Sequence, residues 1–160
     1  MDAMLIPVDG NPEEVEVNGL EDLQRLVGGC IDAFPVYDPR GWTVYVNDEG
    51  IARCMDGEPG FEPNRAIFAD GAIAAEGYLS QMDGKPVSAG DLYAILCGPI
   101  VAIGFDAGEG ADVSLTEGQK REVRSIFESG PSSAGSGMAA LALVQLGIKV
   151  DASCGARAIG

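Results

Sequence analysis

The alternation of apolar and polar positions cuts the chain into short extended segments and two helical ones. Met4 to Val8 is an apolar run closed by Pro7 and the Asp9-Gly10 turn signal. Glu14-Val15-Glu16-Val17 then alternates with period two, as a strand with one wet face does. In Asn18-Gly19-Leu20-Glu21, Asn18 stands as a cap with Glu21 three residues on, a capping-box arrangement. Leu20, Leu23, Leu26 and Val27 fall on one helical face and Gly28-Gly29 stops the run, which predicts a helix over 20–28. Cys30 to Tyr37 and Trp42 to Val46 read as two strands of a hairpin around Asp38-Pro39-Arg40-Gly41. Asn47-Asp48-Glu49-Gly50 is a second turn, and residues 55–65, with Gly57, Pro59, Gly60 and Pro63, read as a loop long enough to carry function.

Beyond that loop, Ala66 to Phe68 and Ala72 to Leu79 read as weaker strands, followed by a polar insert from Ser80 to Gly90. Asp91 to Cys97 and Ile100 to Phe105 are apolar enough to be core strands, divided by Gly98-Pro99. Gly108 and Gly110 open a loop. Ser114 with Glu117, and Thr116 with Gln119, offer two capping registers for a helix of roughly 117–128 with Val123, Ile126 and Phe127 on one side. From Ser129 to Gly137 the composition is that of a linker, and Met138 to Val150 could form one short apolar helix. The expected organisation is one α+β domain over 1–128, a curved, mainly antiparallel sheet of five to seven strands with two helices packed on it. Residues 129–160 follow as a Gly/Ser-rich linker and short apolar tail, docked or disordered.

At 160 residues the chain has about the length of one domain, large enough to bury a core without a metal or disulfide staple. Charge changes the picture more than length does. Residues 1–112 carry 21 acidic and 5 basic side chains, a net −16, whereas 113–160 carry 4 and 5. Such a field repels phosphate backbones and anionic membrane surfaces, so neither direct nucleic-acid binding nor membrane association is expected. It suits a soluble cytoplasmic protein, or one whose acidic face meets a basic partner or imitates DNA. The longest apolar stretch, Leu92 to Phe105, is too short to span a bilayer, and the N-terminus lacks the features of a signal peptide.

The chain has no histidine, which excludes Ser–His and Cys–His pairs and imidazole metal ligands. Cys30, Cys54, Cys97 and Cys154 lie 24, 43 and 57 residues apart with no C-x-x-C pair, so free thiols are expected and no zinc site. Gly108-Glu109-Gly110 lacks the third glycine of a dinucleotide fingerprint, and Gly84-Lys85-Pro86 lacks the pattern of a phosphate loop. No cofactor, metal or catalytic residue is therefore assigned. The segment that stands out is Asn47, Glu49, Asn64 and Arg65, which bracket the 55–65 loop. Asn and Arg offer planar donors in a fixed fork, suited to a small anionic ligand. The bland alternative is that Asn47 serves a turn and Arg65 balances a nearby acid.

Five pieces in a fixed order carry a family resemblance. They are Leu23-Gln24-Arg25-Leu26-Val27-Gly28-Gly29-Cys30-Ile31, Val46-Asn47-Asp48-Glu49-Gly50, Pro63-Asn64-Arg65-Ala66, Ile100-Val101-Ala102-Ile103-Gly104 and Ser114-Leu115-Thr116. Over about residues 4–127 the chain resembles Domain of Unknown Function 3846, small proteins of phages, plasmids and bacterial mobile elements, with inserts near 55–62 and 80–90. The resemblance implies a genomic setting and no established activity. Two functions are expected on these grounds. One is a non-enzymatic accessory protein of a phage or mobile element that binds a basic host protein through its acidic face, as a DNA mimic or in an anti-defence role. The other is a small-molecule or nucleotide-like ligand binder using the loop around Asn64 and Arg65.

Overall fold

Strand β7, Ile100–Asp106, is the middle of the structure, and its composition says why. Its first five residues are all buried, so the strand carries no polar alternation and must be covered on both faces. A computed structural model of the chain describes residues 1–128 and, for the backbone alone, 148–151 and 155–158. In it β7 pairs antiparallel with β1, Asp2–Ile6, on one side and with β4, Trp42–Asn47, on the other. Strand β2, Glu13–Glu16, extends the sheet beyond β1, and β3, Ile31–Phe34, extends it beyond β4. The order is β2-β1-β7-β4-β3, and the short β8, Ala111–Val113, returns along the end of β7. A separate antiparallel pair, β5, Pro63–Phe68, and β6, Leu92–Cys97, lies outside this sheet. The architecture is α+β, with the large sheet sandwiched between two layers.

One layer is helix α1, Leu20–Val27, whose Leu23 and Val27 pack with Ala3, Val101 and Ile103. Gly28 ends it in the left-handed region at φ 80°, a conformation that favours glycine. The other layer combines β5, β6 and helix α4, Glu117–Phe127, over Met4, Ile6, Val44, Ile100 and Ala102. Within it Tyr37 stacks on Trp42 with ring centroids 4.3 Å apart, and Phe127 meets both edge-on. Burying each such large side chain contributes about 1.5–3 kcal/mol, so the two faces of one sheet supply most of the core.

Several sequence expectations change in detail. Asn18 is not a helix cap: α1 is preceded by Gly19, and the Asn18 backbone N–H donates instead to the Asp22 carboxylate at 2.8 Å. At α4 the second capping register is the one used, with Thr116 accepting from the Gln119 N–H and Gln119 accepting from the Thr116 N–H. The hairpin linker is a 3-10 segment, Pro35–Arg40. Two further short helices join the expected pair: α2, Gly50–Met55, and α3, Gly71–Ala75. The second replaces the strand expected over Ala72 to Leu79, because the Asp70 carboxylate accepts the Ile73 N–H and caps a helical turn. The apolar helix expected over Met138 to Val150 falls mostly outside the described residues. Its last residues belong to β9, Ile148–Asp151, which pairs antiparallel with β10, Gly155–Ala158. The Gly/Ser-rich linker of 129–137 lies outside the described residues.

Lys120 closes the lower edge of the sheet. Its ammonium, almost fully buried, donates to Glu14 at 2.7 Å, Glu117 at 3.0 Å and Asp2 at 3.1 Å, joining α4 to β1 and β2. Hydrogen bonding from Lys120 holds the Glu14 carboxyl below the usual carboxylate range, and the carboxylates, Glu14 first, hold Lys120 above the usual ammonium range. A carboxyl lowered on folding stabilises the fold above its unfolded value of 4.5, and that stability disappears as pH falls through the lowered value. The raised ammonium acts with the opposite sign, losing its contribution as pH climbs above 10.5. Lys120→Met is therefore expected to lower stability near neutrality and to flatten the losses at both pH extremes, read from urea midpoints across the pH range.

Candidate functional site

The four residues singled out by the sequence do not form one pocket. Asn47, at the end of β4, is buried; its amide donates to Val27 O at 3.1 Å, and its Oδ1 accepts the Glu49 N–H at 2.8 Å. It ties α1 to the turn that starts α2. Glu49 lies at that turn with its side chain exposed and paired with Arg53 at 3.6 Å. No hydrogen bond or ion pair among the described residues joins Asn47 or Glu49 to Asn64 or Arg65.

Asn64 and Arg65 lie on β5, not in a loop. The ladder to β6 shifts register between Pro63 and Arg65, leaving Asn64 as the extra residue of a bulge, and bulges re-aim side chains. Both consecutive side chains turn inward, with 1% and 2% of their surface exposed. The Asn64 amide donates to Ile6 O at 2.9 Å and Gly98 O at 2.8 Å. Arg65 Nε donates to Phe127 O at 3.0 Å, Nη1 to Asn64 O at 3.1 Å and to Asn64 Oδ1 at 2.6 Å, and Nη2 to Gly10 O. Burial lowers the guanidinium pKa and the Asp9 charge raises it, while the carbonyl end of α4 adds a favourable dipole. The expected anion-binding donors are thus spent on main-chain carbonyls and on the Asn64 amide oxygen. Five donors in a planar fork match several converging carbonyls as well as they match an anion.

A different concavity opens beside Asn47. A cleft of about 130 Å³ lies between β3, the start of α2 and β6. Phe34, Val46, Ile95 and Leu96 form its apolar lining, and Asp32, Asp48 and Gln81 its polar part. Strand β3 is an edge of the large sheet, and the Asp48 N–H donates to Cys30 O at 2.9 Å. By antiparallel alternation, the main-chain groups of Ile31 and Ala33 then face the unpaired side. Next to the cleft, Ile51 and Met55 stand one helical turn apart on α2, 63% and 82% exposed. Arg53 on the same helix is occupied by Glu49 and by Glu58 at 3.5 Å, and lies over the Phe61 ring at 4.8 Å from its centroid. The result is an apolar patch rimmed by acid. Sequence reasoning missed Asp32, Ile51, Met55 and Gln81, although the spacing of Ile51 and Met55 beside Asp48-Glu49 was a visible signal.

Arg65→Met is expected to leave the carbonyls of Gly10 and Phe127 and the Asn64 Oδ1 without a donor. At about 1–3 kcal/mol for each orphaned group, the loss should reach about 3 kcal/mol or more in urea denaturation. Arg65→Lys should not restore it, because one ammonium cannot span carbonyls that a guanidinium fork reaches together. A ligand-binding pair would show the reverse pattern, with stability unchanged.

No match is found among curated proteins or among solved structures. The family described as Domain of unknown function (DUF3846) matches residues 1–128, the segment that holds the large sheet, the β5–β6 pair, α1 to α4 and the cleft. No helix among the described residues is long and apolar enough to cross a membrane. The chain belongs to the DUF3846 family.

Proposed function

We propose that this protein is a binding module, an accessory protein of a phage or mobile element, that docks a basic segment of a host protein over α2 and the open edge of β3. The observation that supports it is the pairing of an exposed apolar patch, Ile51 and Met55, with a carboxylate-rimmed cleft beside an unpaired strand edge. Apolar contact supplies affinity, and the surrounding acid selects a cationic partner and speeds encounter. The partner's cationic side chains would meet Asp32 and Asp48, since Arg53 is already engaged. A protein that normally holds DNA is one such partner, and the chain would then act as its decoy. A nucleotide-like ligand fits less well. The cleft, at about 130 Å³, is below the roughly 300–1,000 Å³ of ordinary small-molecule sites, and Asn64 and Arg65 have no donors turned toward it.

The reading is tested by capture from host extract at low and high salt, followed by kinetics on whatever is recovered. Asp32→Asn with Asp48→Asn should slow association several-fold at low salt, and the wild-type rate should fall toward the variant's as salt approaches about 1 M, where the screening length is roughly 3 Å. Ile51→Ser with Met55→Ser should act on dissociation instead, raising it about tenfold or more. All four side chains are outside the core, so circular dichroism should be unchanged. Recovery indifferent to both pairs of substitutions would overturn the proposal.

A further inference from the structure

Helix α2 meets the end of β6 at unusually close range. A Cβ built on Gly50 would lie 3.0 Å from the carbonyl oxygen of Cys97, a crowded contact that the glycine avoids. Cys54 is one turn further along α2, on the face that carries Gly50 to β6. The Cys54 thiol is near enough to the Cys97 thiol to interact with it electrostatically, Cys97 being buried at 7% exposure and Cys54 half-buried. No metal-holding group of three or more His, Cys, Asp or Glu side chains occurs among the described residues, and of the two thiols Cys97 lines the cleft described above whereas Cys54 does not.

We infer that Cys54 and Cys97 are a modification site: a dithiol that a low-molecular-weight disulfide converts to an intramolecular disulfide bond, fastening α2 to β6. The more accessible Cys54 reacts first. It loses its proton to solvent, its thiolate attacks one sulfur of the small disulfide, and the other sulfur leaves as a thiolate that takes up a proton. Cys97 then gives up its proton and attacks the Cys54 sulfur of the mixed disulfide, expelling the second small thiol. Two protein thiols are oxidised by two electrons in all, and one small disulfide is reduced to two thiols. Burial pushes the Cys97 thiol up to about 12, with the neighbouring Cys54 adding to the shift, so the second step is the slow one. The bond would link residues 43 apart and hold the helix that borders the cleft. This inference does not depend on the proposed partner.

The test uses the full chain without denaturant, exposed to oxidised glutathione and followed by intact mass and peptide mapping. The expected product contains a Cys54–Cys97 linked peptide, two hydrogen atoms lighter than the reduced pair and with no glutathione on either residue, whatever adduct forms at exposed Cys30. The mixed disulfide should resolve about tenfold faster for each unit of added pH, since thiolate supply limits the step. Cys97→Ala should stop at a stable glutathione adduct on Cys54, whereas Cys30→Ser combined with Cys154→Ser should react like the parent. The mapping of the unmodified sequence decides the matter even if a substitution at buried Cys97 unfolds the chain. A parent protein that halts at the Cys54 adduct, or links Cys30 or Cys154 instead, would overturn the inference.

Discussion

The fold depends on a cation buried among carbonyls. Arg65 reaches the turn after β1 through Gly10 and the last turn of α4 through Phe127, while Asn64 beside it holds the ends of β1 and β6 through Ile6 and Gly98. A buried guanidinium is costly unless its donors are satisfied and its charge is answered. Here the donors meet main-chain oxygens, and the charge is answered by Asp9 and by the negative end of α4. The β-bulge makes this possible: without the register shift at Asn64, neighbouring side chains would point to opposite faces of β5. One irregular strand position therefore fastens one end of the β5–β6 layer to β1, to the turn after it and to α4.

Acidic residues serve separate purposes, although the composition presents them as a single excess. Asp2, Glu14 and Glu117 surround Lys120 and stitch α4 to the sheet. Glu13 and Glu16 line the exposed edge strand β2, where charge discourages pairing with another chain. Edge β3 has only Asp32 to do the same work among its four residues. The two edges of one sheet are therefore unequally guarded, and the less guarded one lies beside exposed Ile51 and Met55. Net charge alone does not reveal this division, because it depends on which carboxylates already have a cation.

Local signals were legible where one short segment decides the outcome. Gly28 ends α1, the apolar run of β7 marks a strand covered twice, and the Thr116–Gln119 box starts α4. The α+β class and the two longer helices follow from such signals. Helices α2 and α3 did not show, since five or six residues are too few to display a helical period, and Asp70 sets α3 by a single capping bond. The surroundings of the candidate site residues were not legible for a different reason. Asn64 and Arg65 look like loop donors when their neighbours in sequence are Gly and Pro, yet their partners are residues 6, 10, 98 and 127. Nothing within a few positions of Arg65 records that those carbonyls converge.

The central position of β7 also orders events on the ribosome. Its partners β1 and β4 are synthesised first, and Ala3 must wait for Ile103 before it can pair. Until then β1, α1 and the β3–β4 hairpin each hold an apolar face with nothing to cover it. The guanidinium cage is completed later still, when Phe127 supplies its carbonyl. Contacts this distant in sequence make folding slow and delay it until Phe127 has been made. Until then the residues before Phe127 form an acidic chain whose apolar faces lack their final cover. Its negative charge, with Glu13, Glu14 and Glu16 soon after β1, repels neighbouring nascent chains during that interval.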